Sequence, residues 1–187
     1  MNERLHPWLH YNFGQLLSVF RRHGQAIAAY QRAIALDPGY AAAWRCIGFL
    51  RAEGKNHGPA LDALNEALRL EPGDDTTRFN IGFILHELKR YPEAITEFET
   101  VLRTSPKHDR AWYGLGLCRL QSGEPENAAV ALKEATQLQH FNPHAGYHLA
   151  LVYHQLGRDD DAMAEYQRIL SFDPKCAALI RKDTGIA

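Results

Sequence analysis

The side chains with the most potential for chemistry in this 187-residue sequence are ten histidines and three cysteines. His144 and His148 are four residues apart, so on a helix they would share one face and could bind one metal ion. The spacing indicates no third ligand beside them. Polar histidines in a solvated groove, or a pH-sensitive contact with a partner, are the alternatives. We therefore predict no metal site.

Nucleophilic and phosphate chemistry lack their sequence signatures as well. The sequence contains no G-x-S-x-G and no GxxxxGK[ST] motif, and no cysteine is paired by spacing with a base. Cys46, Cys118 and Cys176 are odd in number, widely spaced and without a CxxC, which argues against a disulfide framework or a four-cysteine metal site. We predict a protein that is not an enzyme, has no cofactor and resides in the reducing cytoplasm.

Charge and hydropathy exclude two further classes of function. The chain carries 21 Lys and Arg against 22 Asp and Glu, a net charge of −1, so it lacks the basic excess that nucleic-acid binding requires. Its apolar stretches are a few residues long, whereas a membrane span needs roughly 20. The residues that follow Met1 show no secretory signal pattern. An apolar content of 45% nevertheless predicts a folded chain with a substantial core.

The dominant pattern is a repeat of 34 residues. Five units follow one another without insertion or deletion, and each has an alanine at the same position: Ala26, Ala60, Ala94, Ala128 and Ala162. We expect a short extension over residues 1–6 and then a single domain of five repeats, over residues 7–40, 41–74, 75–108, 109–142 and 143–176. A partial capping helix and a frayed tail should follow over 177–187. Because the closing helix is incomplete, the chain could self-associate or belong to a longer protein.

Each unit reads as a helical hairpin. With the units numbered 1 to 34, apolar residues recur at helical spacing over positions 2–14 (helix A) and 18–31 (helix B). Small residues at positions 8 and 20 should let the two backbones approach closely, beside a large residue at position 24. Proline at position 32 should end helix B, since it disfavours a helical conformation in the residue before it.

The side chains of two units carry a family resemblance. Unit two has Trp44, Ile47, Gly48, Ala60, Leu64, Ala67 and Pro72, and unit four has Trp112, Leu115, Gly116, Ala128, Leu132 and Ala135. This pattern resembles that of the tetratricopeptide repeat family over about nine-tenths of the chain. His10, Arg78 and Gly146 replace the tryptophan in the other units. The resemblance implies an all-α, right-handed superhelical solenoid of five hairpins plus a partial C-terminal helix.

The resemblance further implies that helix A lines a concave groove, into which repeat positions 2, 5, 9, 12 and 13 point. A groove with apolar side chains at these positions would bind a peptide or helix of a partner protein. Alternatively, the rings pack on the next helix A and are mostly buried. The candidate groove residues are Tyr11, Asn12, Arg45, Phe49, Phe79, Asn80, Phe83, Arg110, Tyr113, Leu117, Tyr147 and His148.

A carboxylate clamp, as found in chaperone-binding members of this family, matches only in part. Units two to four supply Arg45, Asn80 and Arg110, but Phe49 and Gly114 stand where an asparagine and a base should be. The predicted function is therefore that of an adaptor for a protein or peptide partner. The alternatives are a self-assembling structural scaffold, hence a homo-oligomer, and the interaction segment of a larger enzyme.

Overall fold

The computed structural model describes residues 6–186. In that range the chain forms eleven α-helices and no strand, which confirms the predicted all-α class. None of these helices combines the length and apolar character that a membrane crossing requires. The helices are α1 (Pro7–Val19), α2 (His23–Leu36), α3 (Ala41–Glu53), α4 (His57–Leu70), α5 (Asp75–Glu87), α6 (Tyr91–Thr104), α7 (Asp109–Gln121), α8 (Pro125–Leu138), α9 (Pro143–Gln155), α10 (Asp159–Leu170) and α11 (Pro174–Thr184).

Helices A and B each begin one residue earlier than the sequence pattern predicts. For α5, α7 and α9 the reason is a side-chain cap at repeat position 34, which Tyr40 does not provide for α3. The Asp74 carboxylate accepts from the amide of Thr77, and the His108 ring and the Asn142 side chain accept from amides of the helices that follow them. A side-chain acceptor satisfies an amide that would have no partner in the first turn, so the helix starts directly after it.

The turn inside each hairpin has one geometry. Repeat position 15 has a positive φ in every unit: 57° at Arg21, 59° at Lys55, 60° at Lys89, 79° at Gly123 and 69° at Gly157. The amide of the next residue then bonds back to a carbonyl of helix A, as in Asn56 to Arg51 and Glu124 to Arg119. In all five units, helix A is therefore followed by a residue in the left-handed backbone conformation.

Close helix approach within the hairpins confirms the expectation for repeat positions 8, 20 and 24. A Cβ added to Gly14 would lie 2.6 Å from the Tyr30 ring, and one added to Gly116 would lie 2.7 Å from Leu132 Cγ. The alanines at position 20 are fully buried in all five units. A β-carbon at Gly14 or Gly116 would collide with helix B, whereas the fifth repeat accommodates the small, fully buried Ala150 at the same position.

The chain groups into two compact units, one up to Ile84 and one from Leu85 onward. The boundary lies within α5. The core of the first unit includes Ile47 and Tyr30, packed between α2 and α3. In the second unit, Leu132 and Leu149 belong to one buried cluster and Ile169 and Ile180 to another. The single domain expected over residues 7–176 remains a prediction.

The C-terminal helix differs from the expectation. Helix α11 begins at Pro174, three residues before the 34-residue period would start a sixth unit, because α10 is shorter than the other B helices and Asp173 caps α11. The shifted register buries Ala177, Ile180 and Thr184.

The segment after α11 contacts the core of the second unit. Gly185 ends the helix with φ 72°, and Ile186 packs against both core clusters of the second unit. The frayed tail remains a prediction. Ala187 and residues 1–5 of the predicted extension lie outside the described residues.

Candidate peptide-binding surface

Repeat position 5 provides contacts between elements in the first compact unit. The Tyr11 ring lies 5.7 Å from the Tyr30 ring and 5.2 Å from the Tyr40 ring, and Phe79 is buried. Burial raises the pKa of the Tyr11 hydroxyl, and nearby Cys46 raises it further. Tyr11 and Phe79, two candidate groove residues, therefore fit the alternative that these rings pack within the fold.

Arg45, also at position 5, is neutralised by two carboxylates. Its guanidinium donates to Asp74 and, at 3.2 Å, to Glu71. Partial burial opposes the charge on Arg45, but the two carboxylates prevail and raise its pKa. Burial likewise opposes the charge on Asp74, yet hydrogen bonds from Thr77 and Arg45 hold its pKa below the ordinary range. The Arg45 side chain therefore links α3 to the segment before α5, and its charge is already paired within the protein.

Repeat position 9 provides the exposed aromatic surface in the same unit. Phe49 is 56% exposed and Phe83 is 52% exposed, although both lie on helices whose opposite faces are buried. Gln15, at position 9 in the first repeat, is half-buried, and its amide donates to the Tyr11 hydroxyl at 2.6 Å. Two phenylalanines one repeat apart thus form a strip that no described element covers.

Repeat position 6 supplies two asparagine side chains. The Asn12 side-chain amide donates to the Trp8 carbonyl of its own helix at 2.7 Å, so one of its hydrogen-bonding groups is already used. Asn80 is half-buried on α5. Cys46, at the same position of unit two, lies 3.6 Å from the Gln15 amide, and burial raises the pKa of its thiol.

The second compact unit brings three of its five candidate residues together. The His148 ring lies 5.9 Å from the Tyr113 ring and 5.1 Å from the Tyr147 ring. Burial lowers the pKa of His148, and the nearby His144 lowers it further, so the imidazole is neutral at pH 7. The Tyr147 hydroxyl donates to Asp183 at 2.7 Å, which ties this ring to α11. Leu117 is half-buried and Arg110 is exposed.

Metal binding and thiol chemistry can be examined among the described residues. No three histidine, cysteine or acidic side chains of residues 6–186 come together as a metal site would require. Cys118 is fully buried, and burial raises the pKa of its thiol to about 12, so it is protonated and inert at pH 7.

A family model for the tetratricopeptide repeat matches residues 11–75 and 85–143, and a second model with the same description matches residues 119–182. The chain belongs to the tetratricopeptide repeat family. The fold of this family generally mediates protein–protein interaction. No curated protein sequence matches the chain.

Solved structures with the same tetratricopeptide repeat fold are distant in sequence. YrrB, described as a TPR protein with an unusual peptide-binding site, superposes with a TM-score of 0.82 at 20% identity over 93% of this chain and 91% of its own. MamA from Desulfovibrio magneticus superposes with a TM-score of 0.85 at 18% identity, over 90% and 95% of the two chains. The pilF protein of Pseudomonas aeruginosa gives 0.78 at 19% identity, over 97% and 86%. These likenesses confirm the predicted repeat solenoid as the fold.

The carboxylate clamp of some tetratricopeptide repeat proteins does not fit this chain. Arg45 is held by Asp74 and Glu71, and Phe49 occupies the place of a clamp asparagine. At Gly114, where the clamp needs a base, an added Cβ would lie 2.6 Å from the Phe98 ring, so no longer side chain can be accommodated. The sequence already pointed away from a clamp, but the occupied space at Gly114 is visible only in the structure.

Sequence reasoning missed the apolar surface of α1 altogether. Leu9, Phe13 and Leu16 are about half exposed, whereas the same repeat positions are buried in the later units. The signal was available, because repeat positions 3, 7 and 10 hold large apolar residues in the first unit.

Proposed function

We propose that this chain is a non-enzymatic interaction module that binds an apolar segment of a partner protein at Phe49 and Phe83. One observation carries the proposal: both rings stand more than half exposed at the same position of successive repeats. Exposed large aromatic side chains in a repeated register have no packing role, and burial of each against a ligand would contribute about 1.5–3 kcal/mol.

The charges near the strip define the chemistry of the ligand. Arg45 is already matched by Asp74 and Glu71, so the strip presents no unpaired cation from this residue to a terminal carboxylate. The proposed ligand is therefore recognised through apolar or aromatic side chains and not through a charged end. Asn12 and Asn80 remain proposed contacts for the ligand backbone, since amides offer both a donor and an acceptor.

The second compact unit carries an aromatic cluster of its own, which we propose as a separate apolar contact site. Tyr113, Tyr147 and His148 form an aromatic cluster around a neutral imidazole, with Leu117 and Arg110 on the same helix as Tyr113. An uncharged cluster of this kind suits an apolar side chain of a protein or peptide. Peptide binding is what the description of YrrB reports for that protein, and we extend it to this chain as part of the proposal. The proposed location is the cytoplasm, as the cysteine usage of the sequence suggests.

The proposal is tested with the double variant Phe49→Ala plus Phe83→Ala in a pull-down from native lysate. Because both side chains are exposed, helical content by circular dichroism should be unchanged, while the recovered partner should fall at least tenfold. Val130→Ala is the matched control, because Val130 is 59% exposed and lies on a B helix, at repeat position 22. Undiminished capture by the double variant, or equal loss in the control, would contradict the assignment.

A further inference from the structure

The first helix carries an apolar face that has no cover among the described residues. Leu9, Phe13 and Leu16 are 46%, 51% and 53% exposed. They occupy repeat positions 3, 7 and 10, which are buried in all four later repeats. The buried equivalents are Ala43, Thr77, Ala111 and Ala145 at position 3, Ile47, Ile81, Leu115 and Leu149 at position 7, and Leu50, Ile84, Cys118 and Val152 at position 10.

The packing of the later repeats explains the difference. Helix α3 packs against α2, α7 against α6 and α9 against α8, so each of these A helices contacts the B helix of the hairpin before it. Helix α1 is the first helix of the array and has no such neighbour among residues 6–186. Its face therefore corresponds to a stacking surface of the repeat that no residue of the described range covers.

Side-chain size argues against another repeat as the natural occupant. At position 3 the later repeats hold only alanine or threonine, all fully buried, because the preceding helix approaches closely there. Leu9 is larger than either, and Phe13 is larger than the isoleucine or leucine found at position 7 elsewhere. A preceding hairpin could not reach the distance that the later repeats show without displacing these side chains.

The face is instead suited to a second copy of itself. Leu9, Phe13, Leu16 and Phe20 follow a 4-3-4 spacing, which is the seam of a paired helix. No Asp, Glu, Lys or Arg lies between Pro7 and Val19, so two such faces meet without repulsion. An open depression of about 530 Å³, lined by Phe13, Leu16, Leu17, Phe20 and Arg22, gives a partner ring a place to insert.

We propose that α1 pairs with α1 of a second copy across a two-fold axis, with the two helices antiparallel. A two-fold interface uses the same patch on both partners, which is what a single uncharged seam provides. The antiparallel direction places Leu9 opposite Phe20 and Phe13 opposite Leu16, sets the two helix dipoles in opposite directions, and leaves Arg22 at the rim. The pairing is independent of the proposed function, because repeat position 9 in α1 is Gln15 and does not belong to this seam.

The strength of the pairing follows from its size. A helix of this length is about 20 Å long. One helix pair of that length buries less than the roughly 1,600 Å² of a standard interface. We therefore expect a weak dimer that dissociates in the micromolar range.

Sedimentation velocity over a concentration series from about 1 to 500 µM tests the dimer. The unaltered chain should pass from monomer to dimer as its concentration rises. Leu16→Glu should raise the dissociation constant at least tenfold, since it places two carboxylates at the centre of the seam. Val130→Glu, at an equally exposed apolar site on α8, should leave it unchanged. A chain that is monomeric throughout, or a dimer that tolerates Leu16→Glu, overturns the proposal.

Disulfide trapping tests the direction of the pair. Leu9→Cys and Phe20→Cys, made as separate proteins and mixed under mild oxidation, should form a crosslink above the wild-type background only in the mixture. Crosslinking of Leu9→Cys with itself would indicate parallel helices and overturn the proposed arrangement. Either result leaves the Phe49 and Phe83 strip untouched, so failure here is separate from failure of the proposed ligand site.

Discussion

The guanidinium of Arg168, on α10, donates to the backbone carbonyl of His140 in the loop between α8 and α9. The same carbonyl position of the earlier repeats accepts from the residue at position 4 of the next helix A: Trp44 bonds to Pro38 at 3.3 Å, Arg78 to Pro72 at 3.2 Å and Trp112 to Pro106 at 2.8 Å. In the fifth repeat position 4 is Gly146, and a Cβ there would meet Arg168. Arg168 therefore supplies from helix B the contact that its own helix A lacks.

Because Arg168 replaces the contact of repeat position 4, mutations at Arg168 and Gly146 should compensate each other. Arg168→Ala should lower the free energy of unfolding by about 1–3 kcal/mol, because the guanidinium also bonds to Glu165. Gly146→Trp alone should destabilise as well, since the ring would collide with Arg168 and Ile169. The double variant should recover part of the loss, as tryptophan takes over the carbonyl. Urea unfolding of the three variants gives the coupling, and purely additive effects would show that the two positions do not share this role.

The Gly48 position allows a second prediction with an internal control. A Cβ at Gly48 would lie 2.5 Å from Leu64 Cγ, whereas nothing lies within 4 Å of a Cβ at Gly58 on α4. Gly48→Ala should destabilise by about 1–3 kcal/mol through overpacking. Gly58→Ala should be neutral or stabilise by up to about 1 kcal/mol, since alanine favours the helix. Equal melting temperatures for the two variants would show that the hairpin adjusts freely at Gly48.

Most of the fold could be predicted from the sequence, because a 34-residue period fixes helix lengths, turn positions and the close contacts together. Gly48 and Leu64 were identified as neighbours from that period alone. The C-terminal helix could not be placed in the same way. Its register depends on Asp173 and Pro174 starting a helix three residues early, and a local cap overrides the periodicity.

Asp74 makes the first compact unit sensitive to acid. The folded pKa of this carboxyl lies below its ordinary value, because bonds from Thr77 and Arg45 outweigh the opposing effect of partial burial. The carboxylate thus contributes stability above its unfolded pKa of about 3.9, and that contribution is lost as the pH falls through the lower folded value.

Asp74→Asn tests this sensitivity. The variant should be about 1–3 kcal/mol less stable than wild type at pH 7. The gap should narrow below about pH 4. Thermal unfolding from pH 7 to pH 2 measures both effects, with the same substitution at the exposed Asp62 as a surface control. If the stability difference between Asp74→Asn and wild type does not depend on pH, the charged carboxylate is not the source of the stabilisation.

The candidate site was predicted less completely than the fold. The sequence gives the repeat position of each candidate side chain. It does not show whether a residue of a neighbouring loop already contacts that side chain. Tyr11 contacts Tyr40, and Arg45 contacts Asp74, through linker residues that lie outside any helix pattern. Phe49 and Phe83 stay more than half exposed among the residues that the structure describes. The division between repeat positions 5 and 9 therefore needed the three-dimensional structure.

The most direct test is the affinity of selected peptides for the strip at Phe49 and Phe83. Peptides selected from a random display library against the unaltered chain should carry apolar or aromatic residues and bind with roughly micromolar dissociation constants. By calorimetry they should bind Phe49→Ala plus Phe83→Ala at least tenfold more weakly and Val130→Ala equally well. Peptides that bind the double variant as tightly as the unaltered chain would contradict the proposed binding surface.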